Sequence, residues 1–332
     1  MSHLVEVYGL RVLSPIPLPA PAALPPDAPP DVVIHVGARP AGAEHWSETG
    51  ADIVHESELD LHGHPTLVAD RPEGATLRLR YAEGIRFHIA KGGGAVWADW
   101  TAPLTEADAV TFLLGPVMGA VLRERGVLVL HASALVLDGR AWAFVGPAGV
   151  GKSTLAAAGA VSGLPVVTED VLALRQAGAD WLAMPAYDQI RLWDEGAGLV
   201  TAPGETLPTL TPTWPKRAFD LVARGFARAT SPTPLGGIFL LGARDAGATG
   251  PRIEALGATD ALAELLAHGY VNYLLDHMAQ GRELPRLVAL AHDVPIRRLV
   301  VGSGRAGLEA TLGLLGSITG SITGSITGSI TR

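Results

Sequence analysis

Apolar and polar positions alternate with period two over TLRLRY (76–81), IRFHIA (85–90) and AVWADW (95–100), with Glu83-Gly84 and Gly92–Gly94 between them. That pattern predicts three strands joined by tight turns, an antiparallel meander. Upstream, Leu4–Val12 and DVVIHVG (31–37) also read as strands. The eight prolines within residues 14–30 make that segment an extended connector, because proline fixes φ and donates no hydrogen bond. Residues 40–66 show no period and are not assigned. At Thr105 the pattern changes to helical spacing that lasts to Leu122, with Asp108 suited to the first turn.

Beyond residue 126 strands and helices alternate. VLVLHASALVL (127–137) and AWAFVG (141–146) read as strands around the turn Asp138-Gly139, and a helix is expected from Lys152. LPVVTED (164–170) reads as a strand ending in two acids, followed by a hairpin around Gly178 and an apolar strand GGIFLLG (236–242). Residues 259–278 and 283–293 read as helices, and PIRRLVV as a last strand. The expectation is an α/β core, α+β overall, preceded by a β-rich N-terminal region. The expected divisions are 1–103, 104–315, and a disordered tail, 316–332, built on four Gly-Ser-Ile-Thr repeats. The tail's eight hydroxyls also make it a candidate for phosphorylation.

Composition narrows the classes. Of 332 residues 48% are hydrophobic and 17% charged, which suits a packed core rather than a disordered chain. A net charge of -8 argues against nucleic acid as a partner. There is no cysteine, so disulfides, thiolate zinc sites and cysteine nucleophiles are excluded. The longest apolar run, Ala109 to Leu122, is shorter than the ~20 residues a membrane helix needs, and the N-terminus lacks a signal pattern. The expectation is a soluble, cytoplasmic protein with no membrane partner; a homo-oligomer is left open.

Only three lysines are present, Lys91, Lys152 and Lys216. One stands in GPAGVGKST: Gly146, Pro147, Ala148, Gly149, Val150, Gly151, Lys152, Ser153 and Thr154. This fits G-x-x-x-x-G-K-[ST] between an apolar strand and a helix-forming segment. In such a loop glycines let the backbone wrap a polyphosphate, the lysine reaches the β/γ-phosphates, and the serine ligates Mg²⁺. A nucleotide with Mg²⁺ is the expected ligand pair. No LSGGQ-like or NKxD-like segment accompanies it, which counts against a transport ATPase and a GTPase. Glu169-Asp170 follows closely and offers a carboxylate for the metal and another as general base. His131 ends the strand before the loop strand; such a histidine is more often structural than catalytic.

Taken together, LHASALVLDGRAWAFVGPAGVGKSTLAAAGAVSGLPVVTEDVLAL (130–174) resembles the core of the HPr kinase/phosphorylase-like family. A weaker likeness runs through YDQIRLW (187–193), WPKRAF (214–219), SPTPLGGIFLLG (231–242) and DVPIRRL (293–299). The resemblance implies a P-loop kinase core of the HPr-kinase/PEP-carboxykinase-like type that uses ATP with Mg²⁺ as cofactors to phosphorylate a Ser or Thr hydroxyl of a protein or peptide. Carried over, Lys152 and the loop hold the phosphates, Ser153 with Asp170 holds Mg²⁺, and Glu169 is the base with His131 beside it; the roles of the two acids can be exchanged. Lys216 or Arg217 is a candidate loop cation, and Arg191 is structural or faces the substrate. The first acid is Glu where the bifunctional enzymes have Asp, and a second family signature is absent, which sets HPr itself and the reverse reaction in doubt. The chain is more similar to divergent members, some of them encoded beside lasso-peptide genes and acting on a ribosomal precursor peptide. The alternatives are a P-loop kinase of a small metabolite and a non-catalytic nucleotide sensor.

Overall fold

A computed structural model describes residues 2–319, apart from 24, 26, 44–51, 61–63, 73–75, 243–249 and 276. The chain is an α+β protein with a β-rich N-terminal sheet. It forms two compact units. One holds Met1–Val127, Thr211–Trp214 and Tyr270–Arg282; the other holds Leu128–Leu210, Pro215–Gly269 and Glu283–Arg332.

In the first unit β1 (His3–Val7), β2 (Leu10–Ser14), β3 (Val32–Val36), β4 (Asp52–Glu56), β5 (Leu67–Arg71), β6 (Thr76–Tyr81), β7 (Ile85–Ala90) and β8 (Ala95–Trp100) form one sheet. Its order is β1-β2-β3-β8-β7-β6-β5-β4. The expected meander is β6-β7-β8, antiparallel throughout. The single strand expected over Leu4–Val12 is a hairpin instead: Tyr8 and Gly9 both take positive φ, the pair of left-handed residues that a two-residue hairpin turn requires.

The helix expected from Thr105 is interrupted. α1 (Glu106–Phe112) carries Asp108 in its first turn as expected and begins with a capping box, Thr105 N–H donating to Asp108 Oδ2 at 2.8 Å and Asp108 N–H returning to Thr105 Oγ1. A wide turn at Leu113–Val117 then separates it from α2 (Met118–Glu124), because Pro116 has no N–H for the helical ladder and Gly115 leaves helical geometry. The sequence groups these helices with the second unit; they lie in the first, where Phe112 packs against Tyr81 and Phe87.

The second unit contains β9 (Leu128–Leu137), β10 (Arg140–Val145), α3 (Lys152–Val161), β11 (Val166–Thr168), β12 (Val171–Ala177), β13 (Asp180–Ala183), β14 (Gln189–Leu192), α4 (Asp194–Val200), β15 (Arg217–Asp220), β16 (Thr233–Leu241), β17 (Arg252–Ala255), α5 (Ala258–Ala267), β18 (Ile296–Val300) and α7 (Gly304–Thr319). The division between units falls within α6 (His277–Asp293). The main sheet is mixed, in the order β10-β9-β12-β13-β16-β18-β17, with β10 also parallel to β16. Alternation along β10 sends Phe144 to one face and Ala141, Ala143 and Val145 to the other. The first face is covered by Leu155, Ala156 and Ala160 of α3 and by Leu308, Leu312 and Leu315 of α7. The second face receives Leu265 of α5 and Leu287 and Leu290 of α6. α3 lies close to the sheet because Gly159 has no side chain: a Cβ there would stand 2.3 Å from Leu135 Cδ1.

The helix expected over 259–278 stops after Ala267, and Val271 is left-handed at φ 49°. Of the expected disordered tail, 316–319 continue α7 and the rest lies outside the described residues. Among the described residues no helix is long and apolar enough to cross a membrane.

Candidate functional site

The site is built from three neighbouring pieces of the second unit: the β10–α3 loop, the β11–β12 bend, and the middle of β9. Val145 ends β10 in the buried sheet, and the chain then turns through Gly146 to Gly151. Gly149 (φ 79°) and Gly151 (φ 111°) take the left-handed conformations that a side chain would strain. Gly151 is the residue before α3, so Lys152, Ser153 and Thr154 form its first turn, whose N–H groups have no acceptor within the helix. Pro147, Ala148 and Gly149 are exposed, whereas Lys152 is buried. Its ammonium donates to Gly146 O at 2.7 Å and Pro147 O at 3.0 Å, folded back into its own loop. Burial lowers its pKa from 10.5 to about 8, the charges of Asp170 and Glu169 oppose that shift, and the charge of Lys216 adds to it.

The two acids do not end a strand; they interrupt one. β11 and β12 both pair with β9, β11 opposite Ala134 and Leu135 and β12 opposite Leu128 to His131. Glu169 and Asp170 are the bend between them, opposite Ala132 and Ser133, and the ladder resumes where Ala132 N–H donates to Asp170 O at 3.0 Å. Such an interruption re-aims side chains that a regular strand would send to opposite faces.

Glu169, 4% exposed, accepts three hydrogen bonds: from Ser153 Oγ at 2.8 Å, Tyr187 Oη at 2.8 Å and Arg191 Nε at 2.6 Å. Asp170 shares the guanidinium but has a different second partner. Its Oδ2 accepts from Arg191 Nη2 at 2.8 Å, and its Oδ1 lies 3.2 Å from His131 Nε2. One guanidinium therefore spans both carboxylates while its Cζ lies 5.3 Å from the Tyr187 ring centroid. Ser133 Oγ donates to Lys152 O at 2.9 Å and so ties β9 to the start of α3.

The structure brings together Lys152, Ser153, Glu169, Asp170 and His131, the set the sequence singles out. Ser153, expected beside Asp170, donates to Glu169 instead: the extra methylene of Glu spans the gap from the bend to the helix. Tyr187 escapes the sequence reading altogether. Arg191 is legible only as a cation in a buried strand, a position that demands an acid partner. His268, just past α5, is a second histidine at this end of the unit. Its carbonyl accepts from His131 N–H at 2.8 Å and its Nε2 lies 3.3 Å from Glu264 Oε2. Burial lowers its pKa, with the charges of Lys152 and His131 acting in the same direction.

Among the described residues no group of three or more His, Cys, Asp or Glu side chains is arranged to hold a metal ion. What the bend and helix offer is a hydroxyl and a carboxylate oxygen 2.8 Å apart, hard donors of the kind Mg²⁺ takes alongside phosphate and water oxygens.

No protein-family model matches the chain, and no curated protein matches it. Among solved structures, the HPr(Ser) kinase/phosphatase from Coxiella burnetii is similar over 57% of this chain and 95% of that one, at 15% identity and a TM-score of 0.30. This is a weak and partial similarity, and an overlap that loose fixes neither fold nor activity.

Proposed function

We propose that the chain is an ATP-dependent kinase that phosphorylates a Ser or Thr hydroxyl of a protein or peptide, through a P-loop core of the HPr-kinase/PEP-carboxykinase-like kind. The observation that carries this reading is the division of labour at the bend: Glu169 is bound to Ser153 of the loop helix, while Asp170 is turned toward His131. Two carboxylates with different partners suit two different tasks.

The backbone amides from Gly146 to Thr154 and the Lys152 ammonium would hold the polyphosphate, Lys152 leaving the carbonyls of Gly146 and Pro147 to do so. Ser153 and Glu169 would hold Mg²⁺, which offsets charge on the phosphates when bound. This exchanges the two acids relative to the first expectation and leaves Asp170 as the base. Asp170 is 20% exposed, so a substrate hydroxyl has access to it that buried Glu169 lacks. Asp170 takes the hydroxyl proton, the hydroxyl oxygen bonds to the γ-phosphorus, and the bond to the β-phosphate oxygen breaks. His131 orients Asp170, and Arg191 fixes the distance between the two acids.

The test is transfer from γ-labelled ATP to protein in a lysate of the source organism, with Lys152→Ala, Asp170→Asn and Glu169→Gln in parallel. Lys152→Ala should abolish labelling. Asp170→Asn should keep nucleotide affinity and lose about 10²–10⁴-fold in rate. Glu169→Gln should weaken Mg²⁺-dependent nucleotide binding. Full activity in Asp170→Asn refutes the assignment of the base. Nucleotide binding with no labelled macromolecule refutes a protein or peptide substrate.

A further inference from the structure

Trp193 is 53% exposed, although Leu192 before it and Ala197 after it are buried. Its place follows from the hairpin that carries Arg191. β14 and β15 pair from Gln189 with Asp220 to Leu192 with Arg217, so the next positions outward are Trp193 and Lys216. Lys216 Nζ indeed sits over the indole, 5.2 Å from the ring centroid. Trp193 is also the residue before α4, and its carbonyl accepts from Ala197 N–H at 2.9 Å. α4 lies against the loop helix: a Cβ on Gly196 would come within 2.6 Å of Thr154 Oγ1. The exposed indole therefore stands one helical turn from a residue that touches the first turn of α3.

The charges on this flank say what it suits. Asp194 pairs with Arg217 at 2.5 Å and Glu195 follows it, so the edge beside Trp193 is mixed rather than cationic. It would not draw a second phosphate. A flat aromatic face one helical turn from the contact with the first turn of α3 matches the uncharged half of a nucleotide, whose base stacks on indole. We propose that Trp193, with Lys216 across the hairpin, is the platform for the purine base of the bound nucleotide. Stacking reads a π-face and not a hydrogen-bond pattern, so adenine and guanine are both accepted.

The proposal rests on the polyphosphate reading of the loop, and the test separates the two. Isothermal titration on the full chain with Mg²⁺ compares ATP, GTP and inorganic tripolyphosphate. Trp193→Ala should weaken ATP and GTP alike by about 5- to 100-fold and leave tripolyphosphate unchanged, while Trp193→Phe restores most of the loss. Unchanged ATP affinity in Trp193→Ala overturns the platform. So does an equal loss for tripolyphosphate, which would make the indole a support for the loop. A wild type that binds tripolyphosphate as tightly as ATP overturns the platform and leaves the loop reading intact. A wild type that binds neither overturns the loop reading itself.

Discussion

Arg191→Met removes a guanidinium that bonds both acids. Its guanidinium makes two charge-assisted bonds, Nε to Glu169 at 2.6 Å and Nη2 to Asp170 at 2.8 Å. Bonds of that kind contribute about 1.5–3 kcal/mol each, and breaking a buried pair by deleting one partner costs about 3–5 kcal/mol. Two features set the position within that range. Glu169 and Arg191 are 4% and 8% exposed, so water cannot take over the lost partner, but Asp170 at 20% is partly solvated. The expected loss is therefore about 3 kcal/mol, measured by urea unfolding followed by circular dichroism. Most of it should be the penalty of a stranded carboxylate rather than lost packing, since Met keeps much of the volume. A double-mutant cycle tests that point: adding Glu169→Gln to Arg191→Met should recover part of the loss, with a coupling of about 2 kcal/mol, beyond the ~0.5 kcal/mol scatter of independent sites. A loss below about 1 kcal/mol for the single variant, or two variants whose effects simply add, refutes the view that Arg191 is the clamp.

Two further outcomes follow from groups around α3. Burial lowers the Lys152 pKa to about 8 from 10.5, with Asp170, Glu169 and Lys216 as the charges that modulate it. Between those values the unfolded chain binds more protons than the native one, so stability should rise with pH across that window, by at most about 3 kcal/mol. Lys152→Met should abolish that rise, and parallel urea midpoints for the two proteins would contradict it. Gly159→Ala gains helix propensity of about 1 kcal/mol but sets a methyl 2.3 Å from Leu135 Cδ1, on a side chain with no exposed surface to retreat into. Overpacking of about 1–3 kcal/mol should win, and a more stable variant in the same urea assay would show the contact to be soft.

Much of the fold is legible because its signals are local. The meander from Thr76 to Trp100 is written in strict alternation, and the box at Thr105 and Asp108 in residue types three apart. What escapes is long-range. Nothing in DVVIHV announces that this strand runs parallel to both β2 and β8. The run TDALAELLAHGYVNYLLDHM keeps helical spacing throughout, yet the helix ends at Ala267, where His268 O accepts from His131 N–H. A tertiary hydrogen bond to β9 there competes with the helix's own ladder, and spacing cannot report the winner.

The candidate site divides along the same line. Its residue types are readable from GPAGVGKST and the acidic pair, but their assignment to partners is not. Had β11 run on through Glu169 and Asp170, alternation would have sent the two carboxylates to opposite faces of the sheet, and only one could have met Arg191. The interruption opposite Ala132 and Ser133 keeps both within reach of one guanidinium while aiming Glu169 at Ser153 and Asp170 at His131. In the proposed reading, side-chain length divides the two roles. Glu169 reaches from the bend to Ser153 of α3, and the shorter Asp170 stays at the more exposed edge. Glu169→Asp should therefore lose the contact to Ser153 and, on that reading, weaken Mg²⁺-dependent nucleotide binding in a titration; unchanged binding would contradict the role given to Glu169.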